Sequence, residues 1–333
     1  MRLIVDAFGG DNAPVEIVKG CVMAVKEIDC EICLVGQEDK IREELSKYEY
    51  PSEKISVHHA DEVIGGCEVP TTAIREKKNS SLVVGLELLK SGEGDGFITA
   101  GNTGAYLAGA FRYLGRIKGI KRPALTTFMP TADGFCIVLD VGANADCKPE
   151  FLHQFAIMGS VYAENVLGIK NPRVGLINIG AEEAKGNELS KAVHQLLKDE
   201  PNINFVGNIE ARQVPYGDAD VVVCDGFTGN IVLKLTEGVA MTFYGLIKKA
   251  FMKNGFTKLA AMLVKDGLRE FKKKMDYTEY GGAPLLGIDG VAIKAHGSSN
   301  AKAIKSAVAS AIKFINADVN DKITKKIMEE EAN

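Results

Sequence analysis

The chain has 333 residues, a formal net charge of −4, and 46% hydrophobic against 25% charged residues. Those values describe a chain able to bury a sizeable core, and they argue against a disordered protein or a general nucleic-acid binder. Its seven cysteines are scattered, which argues against a disulfide framework.

Met1–Pro14 holds only a short apolar run before Asp6, too little for a secretory signal. No window reaches the roughly 18 apolar residues of a membrane span, so the expected location is cytoplasmic.

Leu3–Ala7 reads as a short apolar strand, and Pro14 opens a helix at the position where its missing N–H is harmless. In that helix Ile17, Val18, Cys21, Val22 and Val25 make one apolar stripe. Cys30–Val35 is the next strand. Cys30 and Cys33 lie three apart on it, so they face opposite sides and are expected to be buried thiols rather than metal ligands. A charged helix follows near Lys40. Further strands are expected at Gly96–Thr99, Leu125–Met129, Phe135–Val141, Arg173–Ile179, Asn204–Val206, Asp220–Cys224 and Val291–Ala295, mostly with helices between them.

The runs IVLDV, VGLINI and VVVCD are continuously apolar, as strands covered on both faces are. Alternating strands and helices predict an α/β fold, a three-layer α/β/α sandwich with a mostly parallel sheet. No linker or repeat interrupts residues 1–333, which read as a single α/β catalytic domain; two lobes around a cleft stay open as an arrangement. The charged tail Ala317–Asn333 is expected to be a short exposed helix with a frayed end.

In open α/β sheets, ligands bind beyond the carboxyl ends of strands. Six such ends here carry small polar residues and glycines. They are Asp6 to Asp11 (with Gly9 and Gly10), Thr99 to Gly104 (with Gly101, Asn102 and Thr103), Asp140 to Asn144, Asn178 to Gly180, Asp225 to Asn230, and Lys294 to Asn300 (with His296 and Ser298). Glycines free backbone N–H groups to face a ligand, following helix N-termini add partial positive charge, and Ser, Thr and Asn add short neutral hydrogen bonds. A single such turn is unremarkable as an N-cap; six together predict a shared anion site. The chain lacks the P-loop pattern, the G-x-G-x-x-G fingerprint and the G-x-S-x-G elbow. Of its histidines only His296 falls in one of these loops; His58 and His59 sit at a strand end, and His153 and His194 in helices.

Taken together, VDAFGGDNAP at 5–14, ITAGNTGA at 98–105, LDVGANADCKPE at 139–150, GLINIGAEEAKGNEL at 175–189, CDGFTGNIVLK at 224–234, DYTEYGGAPLLG at 276–287 and IKAHGSSNAKA at 293–303 resemble the phosphate acyltransferases of bacterial phospholipid synthesis. Phe8 stands where that family usually has Met, and Ala181 where it usually has Glu. The resemblance implies a fold similar to phosphotransacetylases and to isocitrate and isopropylmalate dehydrogenases. It implies a homodimer and no cofactor; no metal is expected, since no second metal-spaced cluster accompanies Cys30 and Cys33. It also implies acyl transfer from acyl carrier protein to inorganic phosphate, with the acyl phosphate feeding a membrane acyltransferase that acylates glycerol 3-phosphate.

Direct attack of phosphate on a thioester needs no enzyme nucleophile. On this reading the phosphate contacts are sought among Gly9, Gly10, Asp11, Gly101, Asn102, Thr103, Gly104, Asn144, Asn178, Asn230 and Ser298. Lys185 and Lys294 supply charge, His296 donates a proton to the thiolate, and Asp225 orients phosphate or accepts its proton. The bland counterparts are turn and helix caps for the aspartates and a purely structural His296. Two other functions compete: a phosphotransacetylase-like enzyme using acyl-CoA, and a membrane-attached scaffold without catalysis.

Residues 248–276 hold nine basic and three acidic residues, a local charge of +6, so the rest of the chain carries −10. Phe256, Ala260, Leu263, Val264, Leu268, Phe271 and Met275 recur at helical spacing within it. A basic amphipathic helix there suits an acidic carrier protein or an anionic membrane surface. The contact candidates are Lys258, Leu263, Lys265, Arg269, Phe271, Lys272 and Lys273; the alternative is a core-facing helix with a solvated basic back.

Overall fold

The computed structural model describes residues 1–269 and 281–331. Among them eleven strands form one sheet: β1 (Arg2–Asp6), β2 (Glu31–Gly36), β3 (Ile55–His59), β4 (Gly96–Thr99), β5 (Ala124–Thr131), β6 (Gly134–Leu139), β7 (Arg173–Asn178), β8 (Asn204–Glu210), β9 (Val221–Val223), β10 (Ala283–Leu286) and β11 (Ala292–Lys294). The spatial order is β3-β2-β1-β4-β11-β10-β5-β6-β9-β7-β8. Seven neighbouring pairs are parallel; only β5–β6, β5–β10 and β10–β11 run antiparallel, at the centre of the sheet.

Helices cover both faces because the central strands present apolar residues on both sides. Leu3 and Val5 join one core cluster and Ile4 another. Cys30 and Cys33 divide in the same way and both are buried, as period-two alternation requires. Helix α1 (Val15–Glu27) buries the stripe Ile17, Val18, Cys21, Val22 and Val25, each such side chain stabilising by about 1.5–3 kcal/mol where it is a large aliphatic. It lies against the helix Ala301–Asn316. A Cβ at Gly20 would come within 2.6 Å of Ile304 Cβ, so glycine sets that close approach.

Two strands are atypical in composition. β3 (Ile55–His59) is half-exposed and polar at Ser56, His58 and His59. β10 (Ala283–Leu286) contains Pro284, which argues against a strand, yet it pairs with both β11 and β5. The charged tail also differs from expectation. Its helix Val319–Glu331 buries Val319, Ile323 and Ile327 against the helix α6 (Pro149–Asn165), because these three fall on one face.

The basic segment is not one helix. Its first residues end the long helix α8 (Gly226–Phe251); a break at 252–254 precedes α9 (Gly255–Leu263). Asn254 caps α9, accepting from Thr257 N–H at 3.0 Å, which fixes the break. The core-facing alternative is overturned: Phe256 is 89% and Leu263 83% exposed. Lys258, Lys265 and Arg269 are exposed as well, while Phe271, Lys272 and Lys273 lie outside the described residues.

Candidate active site

The ends of β1, β4, β6 and β11, with the start of α8, surround a cleft of about 690 Å³. Its lining includes Gly10, Asp11, Gly101, Asn102, Thr103, Gly104, Asn230, Lys294 and His296 from the sequence candidates. Five of the six polar strand ends therefore meet. The sixth does not: β7 stands beyond β9 from β6, so Asn178 and Lys185 are absent from the cleft lining. Asn178 instead donates to the Lys185 carbonyl at 3.2 Å and shapes its own loop.

Asp6 is the buried post of the site. It accepts from Thr99 Oγ1 at 2.7 Å and from Phe8 N–H at 3.1 Å, and Gly101 N–H donates to the same Thr99 Oγ1 at 2.9 Å. Burial pushes the Asp6 carboxyl upward, against these hydrogen bonds. Gly9 does not line the cleft; it packs behind it. A Cβ there would stand 2.5 Å from Asp6 Oδ2 and 2.6 Å from Gly101 N. The β1 and β11 loops are stitched together by Asp11 N–H to the Gly297 carbonyl at 2.8 Å, and by the Asn12 amide to the carbonyls of Ser298 and Ser299.

Several polar candidates are already engaged. Asn102 caps the helix α5 (Thr103–Gly109), accepting from Ala105 N–H at 3.0 Å, and its amide donates to Gly65, Gly66 and Glu68 carbonyls. It thereby holds the 65–68 turn at the cleft rim. Asp225 caps α8 with both oxygens, accepting from Thr228 N–H and Oγ1, each at 2.8 Å. Asp140, fully buried, accepts from the N–H groups of Leu125, Ala143 and Asn144 and from the Asn144 amide. Asn144 lines a second hollow, not this one.

Lys294 and His296 supply the cationic chemistry. Lys294 is 7% exposed on β11 and its Nζ donates to the Ala295 carbonyl. Burial lowers it to about 8, although Asp6 and Asp11 oppose the fall. Burial also lowers His296, with Lys234 and Lys294 adding to the shift. Its Nδ1 lies 3.2 Å from the Ser298 backbone N–H and 2.8 Å from Ser298 Oγ. A ring nitrogen that accepts from a backbone N–H has no proton of its own, so the neutral ring carries its proton on Nε2.

Sequence reasoning chose Ser298 and missed its neighbour. Ser299 lines the cleft, is 3% exposed, and its hydroxyl is buried with no partner among the described residues. A buried orphan hydroxyl at a cleft wall is what a ligand contact leaves in a ligand-free site. Lys234, paired to Glu237 at 3.1 Å, was also missed. Its spacing of four from Asn230 on a helix was the available signal. The apolar side of the cleft, from Phe8, Ile64, Leu107, Phe128 and Leu233, had no local signature.

A family model described as "Fatty acid synthesis protein" matches residues 1–322. A phosphate acyltransferase of Alkaliphilus oremlandii is 56% identical over 327 residues, covering 98% of this chain and 97% of that protein. One from Clostridium novyi is 52% identical over 328 residues, covering 98% of both. Among solved structures, a phosphotransacetylase from Streptococcus pyogenes superposes with a TM-score of 0.66 at 15% identity, covering 95% of this chain and 94% of that one. A 4-hydroxythreonine-4-phosphate dehydrogenase from Klebsiella pneumoniae gives 0.51 at 14%, covering 95% and 99%. These structures share the fold: a mostly parallel α/β sheet with flanking helices.

Proposed function

Because the chain belongs to the phosphate acyltransferase family of fatty acid synthesis enzymes, we propose that it transfers a fatty acyl group from acyl carrier protein to inorganic phosphate, releasing acyl phosphate. The observation that carries this reading is the meeting of buried Lys294, His296 and the Ser299 hydroxyl, unpartnered among the described residues, with glycine turns in one cleft whose other wall is apolar. An anion fits the first group and an acyl thioester the second.

A phosphate oxygen attacks the thioester carbonyl; the new C–O bond forms, the C–S bond breaks, and sulfur leaves as thiolate and takes up a proton. Holding phosphate against the carbonyl contributes up to several kcal/mol through lost translational freedom. The Gly101–Gly104 turn, Asn230 and Ser299 contact the phosphate, and Lys294 balances its charge. His296 donates an Nε2–H hydrogen bond to the departing sulfur, and the proton the thiolate takes up is the one the attacking hydrogen phosphate releases on becoming acyl phosphate. Asp225 acts by starting α8, which presents Asn230 and Lys234.

The exposed apolar residues of α8, including Leu235, Val239, Phe243 and Leu246 on one face, support a homodimer. The exposed apolar and basic residues of α9 and of 265–269 support contact with an anionic membrane surface, near a membrane glycerol 3-phosphate acyltransferase. Among the described residues no helix is long and apolar enough to cross a membrane.

Hydroxylamine trapping of acyl phosphate, with and without inorganic phosphate, tests the reaction. Phosphate-dependent product from acyl carrier protein thioester is expected; equal or better turnover of acyl-CoA would shift the reading to a phosphotransacetylase, and no product from folded protein would refute it.

A further inference from the structure

A second basic stretch lies outside the 248–269 segment. Residues 111–123 contain Arg112, Arg116, Lys118, Lys121 and Arg122 and no acidic residue. All five are exposed. None has a carboxylate within ion-pair distance among the described residues. The loop is nonetheless firmly held. Buried Gln154 accepts from Lys121 N–H at 2.8 Å and donates to the Gly119 carbonyl at 3.0 Å. Ile117 N–H donates to the Gly287 carbonyl at 3.1 Å, and Ile117 and Ile120 are buried beneath it. The charges thus sit on a preorganised platform.

The platform borders a hollow of about 370 Å³, with Arg112 and Arg122 among its lining and Ile74, Phe111 and Leu285 supplying apolar wall. Leu107 lines both this hollow and the catalytic cleft. Arg122 is three residues before Leu125, the first cleft residue of β5. The two hollows therefore share a wall, the Leu107 side chain.

We propose that this platform, rather than the 248–269 segment, docks the acyl carrier protein, and that the hollow admits its anionic phosphodiester-linked thioester arm. This rests on the reading of a carrier-protein donor. Charge complementarity selects the occupant: five cations with no carboxylate partner among the described residues suit an acidic protein, and two of them line the hollow that would take its phosphodiester. A membrane is the poorer fit. Phe111, 43% exposed, is the only large exposed apolar residue of 111–123, whereas α9 and its following turn expose Phe256, Leu259, Met262, Leu263 and Val264. The two basic surfaces then divide the work, one for the carrier and one for the membrane.

The test is fluorescence anisotropy of labelled acyl carrier protein on the full chain, which needs no turnover and so stands apart from failure of the acyl-transfer reading. Lys118→Glu/Lys121→Glu and Arg112→Glu/Arg122→Glu should each weaken carrier binding about tenfold or more at low salt. The effect should shrink at high salt, where exposed charges are screened within about 3–8 Å. Lys118→Glu/Lys121→Glu should leave the KM for phosphate and binding to anionic phosphatidylglycerol vesicles unchanged. Lys258→Glu/Lys265→Glu should show the converse, with vesicle binding lost and carrier affinity kept. Circular dichroism confirms folding, and the neutral pair Arg112→Gln/Arg122→Gln replaces any reversal that fails to fold. Unchanged carrier affinity in the platform variants, or loss of vesicle binding in place of carrier binding, overturns the proposal.

Discussion

Lys294→Met replaces a buried ammonium by an apolar chain of similar length. In the free protein the fall of this lysine from 10.5 to about 8 means that its charged form is disfavoured in the fold by about 3 kcal/mol. The folded value lies below the unfolded one. The destabilisation is therefore fully present below about pH 8 and is relieved as pH rises from there toward 10.5, where the unfolded chain also loses its proton. Lys294→Met should thus raise the urea stability of the phosphate-free protein at pH 7 by up to about 3 kcal/mol, less the hydrogen bond to the Ala295 carbonyl, worth about 1 kcal/mol. That gain should shrink steadily between pH 8 and 10.5. Phosphate should largely close that gap. At a hundredfold excess over its dissociation constant it stabilises the parent protein by about 2.7 kcal/mol. The variant, lacking a charged hydrogen bond of about 1.5–3 kcal/mol, should bind phosphate roughly ten- to a hundredfold more weakly. Urea titrations at pH 7, 8.5 and 10, with and without phosphate, read both effects. A variant less stable than the parent at every pH, with phosphate stabilisation intact, would refute the assignment of Lys294 as a buried cation held for an anion.

Gly9→Ala should destabilise by roughly 1–3 kcal/mol and abolish phosphate stabilisation, since the new methyl meets Asp6 Oδ2, Gly101 N and Thr99 Oγ1 at 2.5–2.7 Å; thermal melts with and without phosphate measure it. Asp225→Ser keeps an N-cap acceptor and should retain most acyl transfer, whereas Asp225→Ala should lose about 1 kcal/mol of stability along with activity. Equal inactivity of a well-folded Asp225→Ser would instead make the carboxylate a participant in catalysis. Phe256→Ser/Leu263→Ser removes two side chains that are 89% and 83% exposed, and should weaken vesicle flotation at least tenfold while leaving the melting temperature within about 1 °C.

Strand ends were legible because glycine and short polar residues are locally diagnostic: Gly10, Gly101, Thr103, Asn230, Lys294 and His296 were all named from their loops and all line the cleft. The same local signal could not separate ligand contacts from caps. Asp225 and Asn102 spend their side chains on helix starts, and Ser298 bonds to His296 while Ser299 finds no partner among the described residues. Those differences turn on side-chain directions set by residues far along the chain.

By itself the sequence determined the α/β class, the parallel character of most of the sheet, and which loops carry polar chemistry, because apolar runs and glycine turns act over a few residues. Strand order belongs to the tertiary structure. It placed β7 two strands from β6 and so withdrew Asn178 and Lys185 from the cleft lining, and it slotted the proline-bearing β10 into the centre. It also decided that the charged tail packs through Val319, Ile323 and Ile327, while the apolar residues of α9 stay in solvent. An apolar stripe predicts that a face seeks cover; only the three-dimensional placement of the helix tells whether the chain itself provides it.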